Sequence, residues 1–228
     1  NTERRVQRIR KAIKPVGQSR ADFEILSDVM AALGYENSFH TAEEVFAEMA
    51  TVTPSYGGMS YGRLEQLGSL QWPCPTADHP GTPILHVGKF SRGERALFKP
   101  APYRPSAETP DSEYPMIFTT GRILYHYHTS TMTGRVEGLM NISGRSYVEV
   151  NPADAAKLGI LPGDSVKVSS RRGGVIAEAR VTDIVPEGVL FMPFHFADGP
   201  ANMLTNTAID PTAKIPELKV CAARIEKV

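Results

Sequence analysis

Cysteine is nearly missing from this 228-residue sequence, which has only two, Cys74 and Cys221, far apart in the chain. No CxxC or other cluster-binding spacing occurs, so the chain carries no iron–sulfur or structural zinc signature. Two distant thiols make no disulfide framework, and buried free thiols are expected instead. A charge surplus is missing too: 25 Lys and Arg balance 25 Asp and Glu. A general nucleic-acid binder carries a basic excess, which disfavours that class. No apolar run is long enough to span a bilayer, and no charged-then-apolar signal opens the chain. The sequence begins NTERRVQRIRKAIK, without Met, and reads as a fragment or processed piece, so the missing signal says little about compartment.

The length suffices for one large domain or two small ones with a hydrophobic core. The dense basic opening, Arg4, Arg5, Arg8, Arg10, Lys11 and Lys14, reads as a solvated face or a surface covered by another part of the protein. Residues 21–33 place Phe23, Leu26, Met30 and Leu33 on one helical face, with Gly34 as the stop. In TAEEVFAEMA, Thr41 and Glu44 form a capping box, and Val45, Phe46 and Met49 face inward. Residues 61–67 suit a short third helix. Residues 71–113 are dense in proline and glycine and predict an irregular crossing segment with one strand near 84–87.

The second half reads as mostly β. Strands are expected at 116–119, 147–150, 165–169, 175–181, 188–192 and 219–225, separated by the turn signals PGD, RGG and PEG. A short helix over 152–158 ends at Gly159. These strands suggest a small closed barrel whose loops are free for a ligand. The SRRGG turn reads as a plain structural hairpin whose polar tip need touch nothing.

The stretch TGRILYHYHTSTMTGR, residues 120–135, is different in kind. Gly121 permits close backbone approach, and Arg122 can fork onto a phosphate or a carbonyl pair. In a strand, His126 and His128 would share one face. Thr129, Ser130, Thr131 and Thr133 add donors. By spacing alone, polar-ligand binding and a hydrogen-bonded turn stand equal. A metal site on His126, His128 and the distant His195 lacks convincing ligand spacing. Asn202 could cap a helix, Lys219 could sit on a strand rim, and the aromatic residues of FMPFHF suit a core.

Taken in order, NTERRVQ, SLQWPCP, HPGTPILH, EYPMIFTTGR, the histidine-bearing ribbon, ANMLT and DPTAKIPELKVCAARIE resemble the catalytic subunit of molybdenum- or tungsten-dependent formate dehydrogenases. More broadly, they resemble the bis-molybdopterin guanine dinucleotide oxidoreductases. The resemblance covers nearly the whole chain. It implies a mainly β C-terminal domain over 114–228, a six-stranded double-psi-type barrel that binds the molybdopterin dinucleotide. Residues 1–70 would be the helical, loop-rich end of a preceding α/β domain, and 71–113 a linker. Carried over by position, Thr120, Gly121, Arg122, Ile123, Leu124, His126, His128 and Thr129 match the cofactor-contacting loop. Asn202 and Lys219 match further pterin contacts, and Phe194 a position near the substrate pocket.

The resemblance further implies two pterin guanine dinucleotides with molybdenum or tungsten, and formate and carbon dioxide as substrates. It implies a 4Fe–4S cluster upstream, the remainder of the catalytic subunit and electron-transfer subunits as partners, and a cytoplasmic location. No catalytic or metal-ligating residue of the family finds a match here. The rival readings are a nitrate-reductase-like member, a non-catalytic barrel module with the ribbon on an open surface, and a small metalloenzyme using the three histidines.

Overall fold

Val6 lies opposite Leu70 where Arg5–Gln7 (β1) and Ser69–Gln71 (β2) pair antiparallel. The computed structural model describes residues 1–36 and 39–228, which divide into two compact units, 1–99 and 100–228. In the first, α1 (Asp22–Ala32) precedes α2 (Ala42–Val52) and α3 (Tyr61–Leu67). The capping box of α2 is formed: Glu44 N–H donates to Thr41 Oγ1 at 3.2 Å, and Thr41 N–H donates to the Glu44 carboxylate at 3.1 Å. Met59, Leu64, Leu70 and Cys74 make a small core, with Val6, Phe46, Tyr56 and Trp72 packed against it.

Two expectations fail in this unit, at Met49 and at 84–87, and the apolar stripe of α1 stays largely uncovered. None of the α1 residues is fully buried: Phe23 is half-buried, and Leu33 is 73% exposed. Met49 of α2 is likewise exposed; Ala50 is the buried residue there. No strand forms at 84–87, because His86 and Gly88 take positive φ (58° and 83°) and turn the chain. The basic opening is also divided in role. Arg10 pairs with Glu65 at 2.5 Å, whereas the Arg4 guanidinium donates to the carbonyls of Thr82 and Pro83, both at 2.8 Å, and of Trp72. Arg4 therefore pins the segment that follows β2 and is no member of a solvated face.

The second unit follows the period-2 pattern of its sequence. Along Met116–Gly121 (β3), alternate residues are buried, with Phe118 fully so. After α4 (Glu137–Ser143) come β4 (Tyr147–Val150), α5 (Pro152–Leu158), β5 (Ser165–Ser170), β6 (Gly173–Val181), β7 (Val189–Pro193) and β8 (Cys221–Lys227). The six strands close into a barrel in the order β3-β7-β4-β6-β5-β8. The β3–β7 and β4–β6 pairs are parallel, and the remaining pairs antiparallel, the mixed closed arrangement expected of the double-psi type. Val148, Val150, Val166, Val168, Leu190 and Met192 fill the interior with Phe118. Each such side chain contributes roughly 1.5–3 kcal/mol of transfer free energy.

Local signals set the borders of the elements. Asn151 caps α5 by accepting from Ala153 N–H at 2.9 Å, and Gly159 ends it in the left-handed conformation (φ 66°). Helix α4 escaped the sequence reading because Val136 at its N-cap offers no side-chain acceptor. The final strand begins at Cys221, so Lys219 precedes it. The hairpin tip is not idle. Arg172 makes a two-pronged pair with Glu108 at 2.6 and 2.9 Å and donates to the Leu204 carbonyl.

Candidate functional site

Parallel pairing of β3 with β7 sets Gly121 beside Pro193, so both strands leave the barrel at the same end. Strand β8 runs antiparallel to β3, with Phe118 opposite Cys221, and so enters the barrel at that end too. Three segments remote in sequence meet there: the ribbon after β3, the aromatic loop after β7, and the approach to β8. Thr120 Oγ1 donates to the Leu218 carbonyl at 2.9 Å, and the Lys219 ammonium donates to the Thr120 carbonyl. Phe194 N–H donates to the Gly121 carbonyl at 3.2 Å. The Arg122 guanidinium lies 5.4 Å from the centre of the Phe194 ring. Gly121 is required by a neighbouring side chain: a Cβ there would come within 2.5 Å of Phe191 Cε2.

The ribbon is a series of turns and not a strand, with His128 and Ser130 at positive φ (47° and 60°). His126 and His128 therefore do not share a face. His126 is buried and His128 exposed against the Tyr127 ring, 4.3 Å between centres. Hydrogen bonding decides the tautomer of His126. Its Nε2–H donates to the Ser143 carbonyl, leaving Nδ1 to accept from the Thr133 hydroxyl at 3.0 Å. That hydroxyl in turn accepts from Tyr127 N–H at 3.3 Å. The opposite tautomer is set at His195, which is 1% exposed. Ile123 N–H donates to its Nε2 at 2.9 Å, and its Nδ1–H donates to the His128 carbonyl. Burial holds the His195 pKa below the ordinary histidine range. The His128 carbonyl opposes that fall, and the charges of His126, Arg122 and His128 add to it.

The two buried rings stand 5.9 Å apart, centre to centre. Both nitrogens of each are already engaged, which corrects the three-histidine metal reading. Among the described residues no group of three or more His, Cys, Asp or Glu is placed to hold a metal ion.

A cleft of about 450 Å³ opens beside the ribbon, lined by Thr129, Ser130, Arg145, His195, Phe196 and Asp198 among others. Ser130 Oγ is buried on its wall and has no hydrogen-bond partner among the described residues. Of the residues expected at the site, Thr120, Gly121, Arg122, Ile123, His126, His128, Thr129, Phe194 and Lys219 lie in the three converging segments. Leu124 belongs to the ribbon but is 88% exposed. Thr129 Oγ1 meets Thr131 Oγ1 at 3.1 Å. Asn202 caps no helix: it is the exposed second residue of the 3-10 turn Ala201–Met203, whose cap is Pro200.

Ser130, Arg145 and Asn206 were not singled out for the site from sequence. Asn206 holds the approach to β8 by donating to the Val220 carbonyl at 2.8 Å and to Glu217 at 3.1 Å, while accepting from Ala208 N–H at 2.8 Å. The one available signal was an Asx side chain in a loop between turn residues.

The model of the Molydopterin dinucleotide binding domain matches residues 116–222. The whole chain is 49% identical to 34% of the F420-dependent formate dehydrogenase subunit alpha of Methanocaldococcus jannaschii. It is 41% identical to 33% of a nitrate reductase of Symbiobacterium thermophilum. The chain thus spans about a third of the length of these curated relatives. The acetylene hydratase structure from Pelobacter acetylenicus superposes on 99% of this chain and 35% of its own, with a TM-score of 0.64 at 15% identity, a likeness of fold.

Proposed function

Residues 116–222 belong to the Molydopterin dinucleotide binding domain family, and on that premise we propose that this chain is the C-terminal part of a formate dehydrogenase catalytic subunit. In this reading residues 1–70 end a preceding domain, 71–113 link it to the barrel, and the barrel closes over pterin guanine dinucleotide. The observation that carries it is the buried, unpartnered Ser130 Oγ, of a residue lining the cleft beside the donors of Thr129 and Arg145. An orphaned buried hydroxyl costs about 1–3 kcal/mol unless a ligand satisfies it. A pterin edge presents dense donors and acceptors, and a pyrophosphate is anionic, which suits this donor set.

When bound, the metal–pterin group would supply the two-electron interconversion of formate with carbon dioxide and a proton. The residues of this chain would bind and orient it. Arg122 and the Lys219 ammonium bring positive charge to an anionic group, and the aromatic loop around Phe194 and Phe196 excludes water. Higher identity to the formate dehydrogenase alpha subunit than to the nitrate reductase favours formate over nitrate. Molybdenum or tungsten, a second dinucleotide, an upstream 4Fe–4S cluster, electron-transfer subunits and a cytoplasmic location belong to the same proposal. Among the described residues no helix is long and apolar enough to cross a membrane.

Arg122→Ala in the complete enzyme is expected to weaken cofactor retention about 10- to 100-fold, the loss of one charged hydrogen bond. Ser130→Ala should lower it less. Metal and pterin content of the purified protein measures both, and unchanged occupancy in the two variants overturns the reading. Turnover of formate against nitrate by the wild type separates the two substrates.

A further inference from the structure

His195 joins the two ends of a ribbon segment, Ile123 to His128, that carries four of the expected cofactor contacts, Ile123, Leu124, His126 and His128. One imidazole nitrogen accepts from Ile123 N–H and the other donates to the His128 carbonyl, across a six-residue span that holds no other hydrogen bond to the barrel in this structure among the described residues. The ring itself is fixed: it is buried between Phe194, 4.8 Å away, and Phe196, 6.2 Å away. We propose that His195 is a positioning residue, whose neutral imidazole presets the ribbon Ile123–His128 in the shape that receives the cofactor. This inference rests on the reading of the ribbon as the cofactor's cradle.

Three features favour this role over a ligand or an acid–base group. Both ring nitrogens are consumed by backbone, so none faces the cleft for chemistry. The bonds need one donor and one acceptor, which only the neutral ring supplies. A protonated ring would set N–H against the Ile123 N–H and break that end of the clamp. The charged and titratable groups around it, Arg122, His126 and His128 on the ribbon with Arg145 and Asp198 on the cleft wall, include one carboxylate against several cationic or protonatable groups. The clamp is therefore a device of neutral and alkaline pH.

Hydrogen exchange of ribbon amides in the complete enzyme, corrected for intrinsic rates, reads the clamp without relying on activity. In His195→Leu, which keeps an apolar body in the site, ribbon amides are expected to exchange about 10-fold faster, the loss of a buried hydrogen bond. His195→Gln places an acceptor near the Nε2 position and should restore most of the protection at Ile123. His195→Asn places a donor near Nδ1 and should not. Wild-type protection should fall as pH drops below the ordinary histidine range, and this acid limb should vanish in His195→Gln but persist in His128→Gln.

Unchanged exchange in His195→Leu, or an acid limb that survives in His195→Gln, overturns the clamp. Pterin content, measured in parallel, tests the reading beneath it. A loosened ribbon with full cofactor retention would show that His195 shapes a segment that is not the cradle, and would remove the role assigned to it. A loosened ribbon that also loses pterin supports both.

Discussion

Replacing Phe118 with alanine is expected to destabilise the barrel by about 3–5 kcal/mol, the usual cost of removing a buried phenyl ring. Phe118 is fully buried, and β3 places it between Leu190 of β7 and Cys221 of β8. Both neighbours are themselves buried and belong to one contiguous core with Val148, Val166 and Val168. A closed barrel cannot collapse onto the void as an open sheet can, since each strand is held by ladders on both sides. Phe118→Leu should cost much less, because it keeps most of the volume. Urea denaturation of the chain measures it. The only tryptophan, Trp72, lies in the first unit, so the barrel is best followed by circular dichroism or by exchange of its strand amides. A change below about 1 kcal/mol would mean that Phe118 does not occupy the barrel interior.

Glu108→Ala is expected to cost about 3 kcal/mol, because one carboxylate serves three residues, Arg171, Arg172 and Ala222. It pairs with both terminal nitrogens of Arg172 at the β5–β6 hairpin, lies 3.6 Å from Arg171, and accepts from Ala222 N–H of β8 at 2.8 Å. Its side chain is only 16% exposed, so water replaces these bonds poorly. Alanine leaves the Ala222 N–H unpaired and the Arg172 guanidinium held by the Leu204 carbonyl alone. Glutamine keeps two of the contacts without charge and should recover about half of the loss.

The same group predicts a pH dependence. The hydrogen bonds from Arg172 hold the Glu108 carboxyl below its ordinary range; burial opposes the fall, and Ala222 N–H and the charge of Arg172 reinforce it. The unfolded chain therefore takes up a proton before the folded one. Glu108 contributes its full stabilisation above the ordinary glutamate range, near pH ~4.3, and loses it as pH drops through the lower folded value. Denaturation midpoints measured from neutral pH into that window should decline in wild type and flatten in Glu108→Gln. An equal decline in both would assign the acid limb to other carboxylates.

Much of the barrel was legible because its signals are local. Strand positions follow from alternation of Val, Ile and Phe with polar residues, and the turns between them from PGD, RGG and PEG. The α2 capping box was readable from Thr41 and Glu44 for the same reason. Helix α1 shows the limit of such reading. Its apolar stripe predicts a buried face, but periodicity names only a face that needs covering and not the surface that covers it.

The ribbon residues were also singled out by sequence, while their hydrogen-bonding partners were not. His126 and His128 look equivalent two apart, yet left-handed backbone at His128 sends one ring inward and leaves the other in solvent. His195 looked like a stray metal ligand and proves to be spent on backbone at both nitrogens. Ser130 was one hydroxyl among four until the fold buried its oxygen without a partner. Glu108 sat in a proline-rich stretch that carried no signal for an anchor. What the amino-acid order decided alone was which segments become strands and where donors are dense, since propensity and alternation act over a few residues. Which donors remain free for a ligand was left to tertiary structure. Those hydrogen bonds run between β3, β7 and the approach to β8, segments that only barrel closure brings side by side.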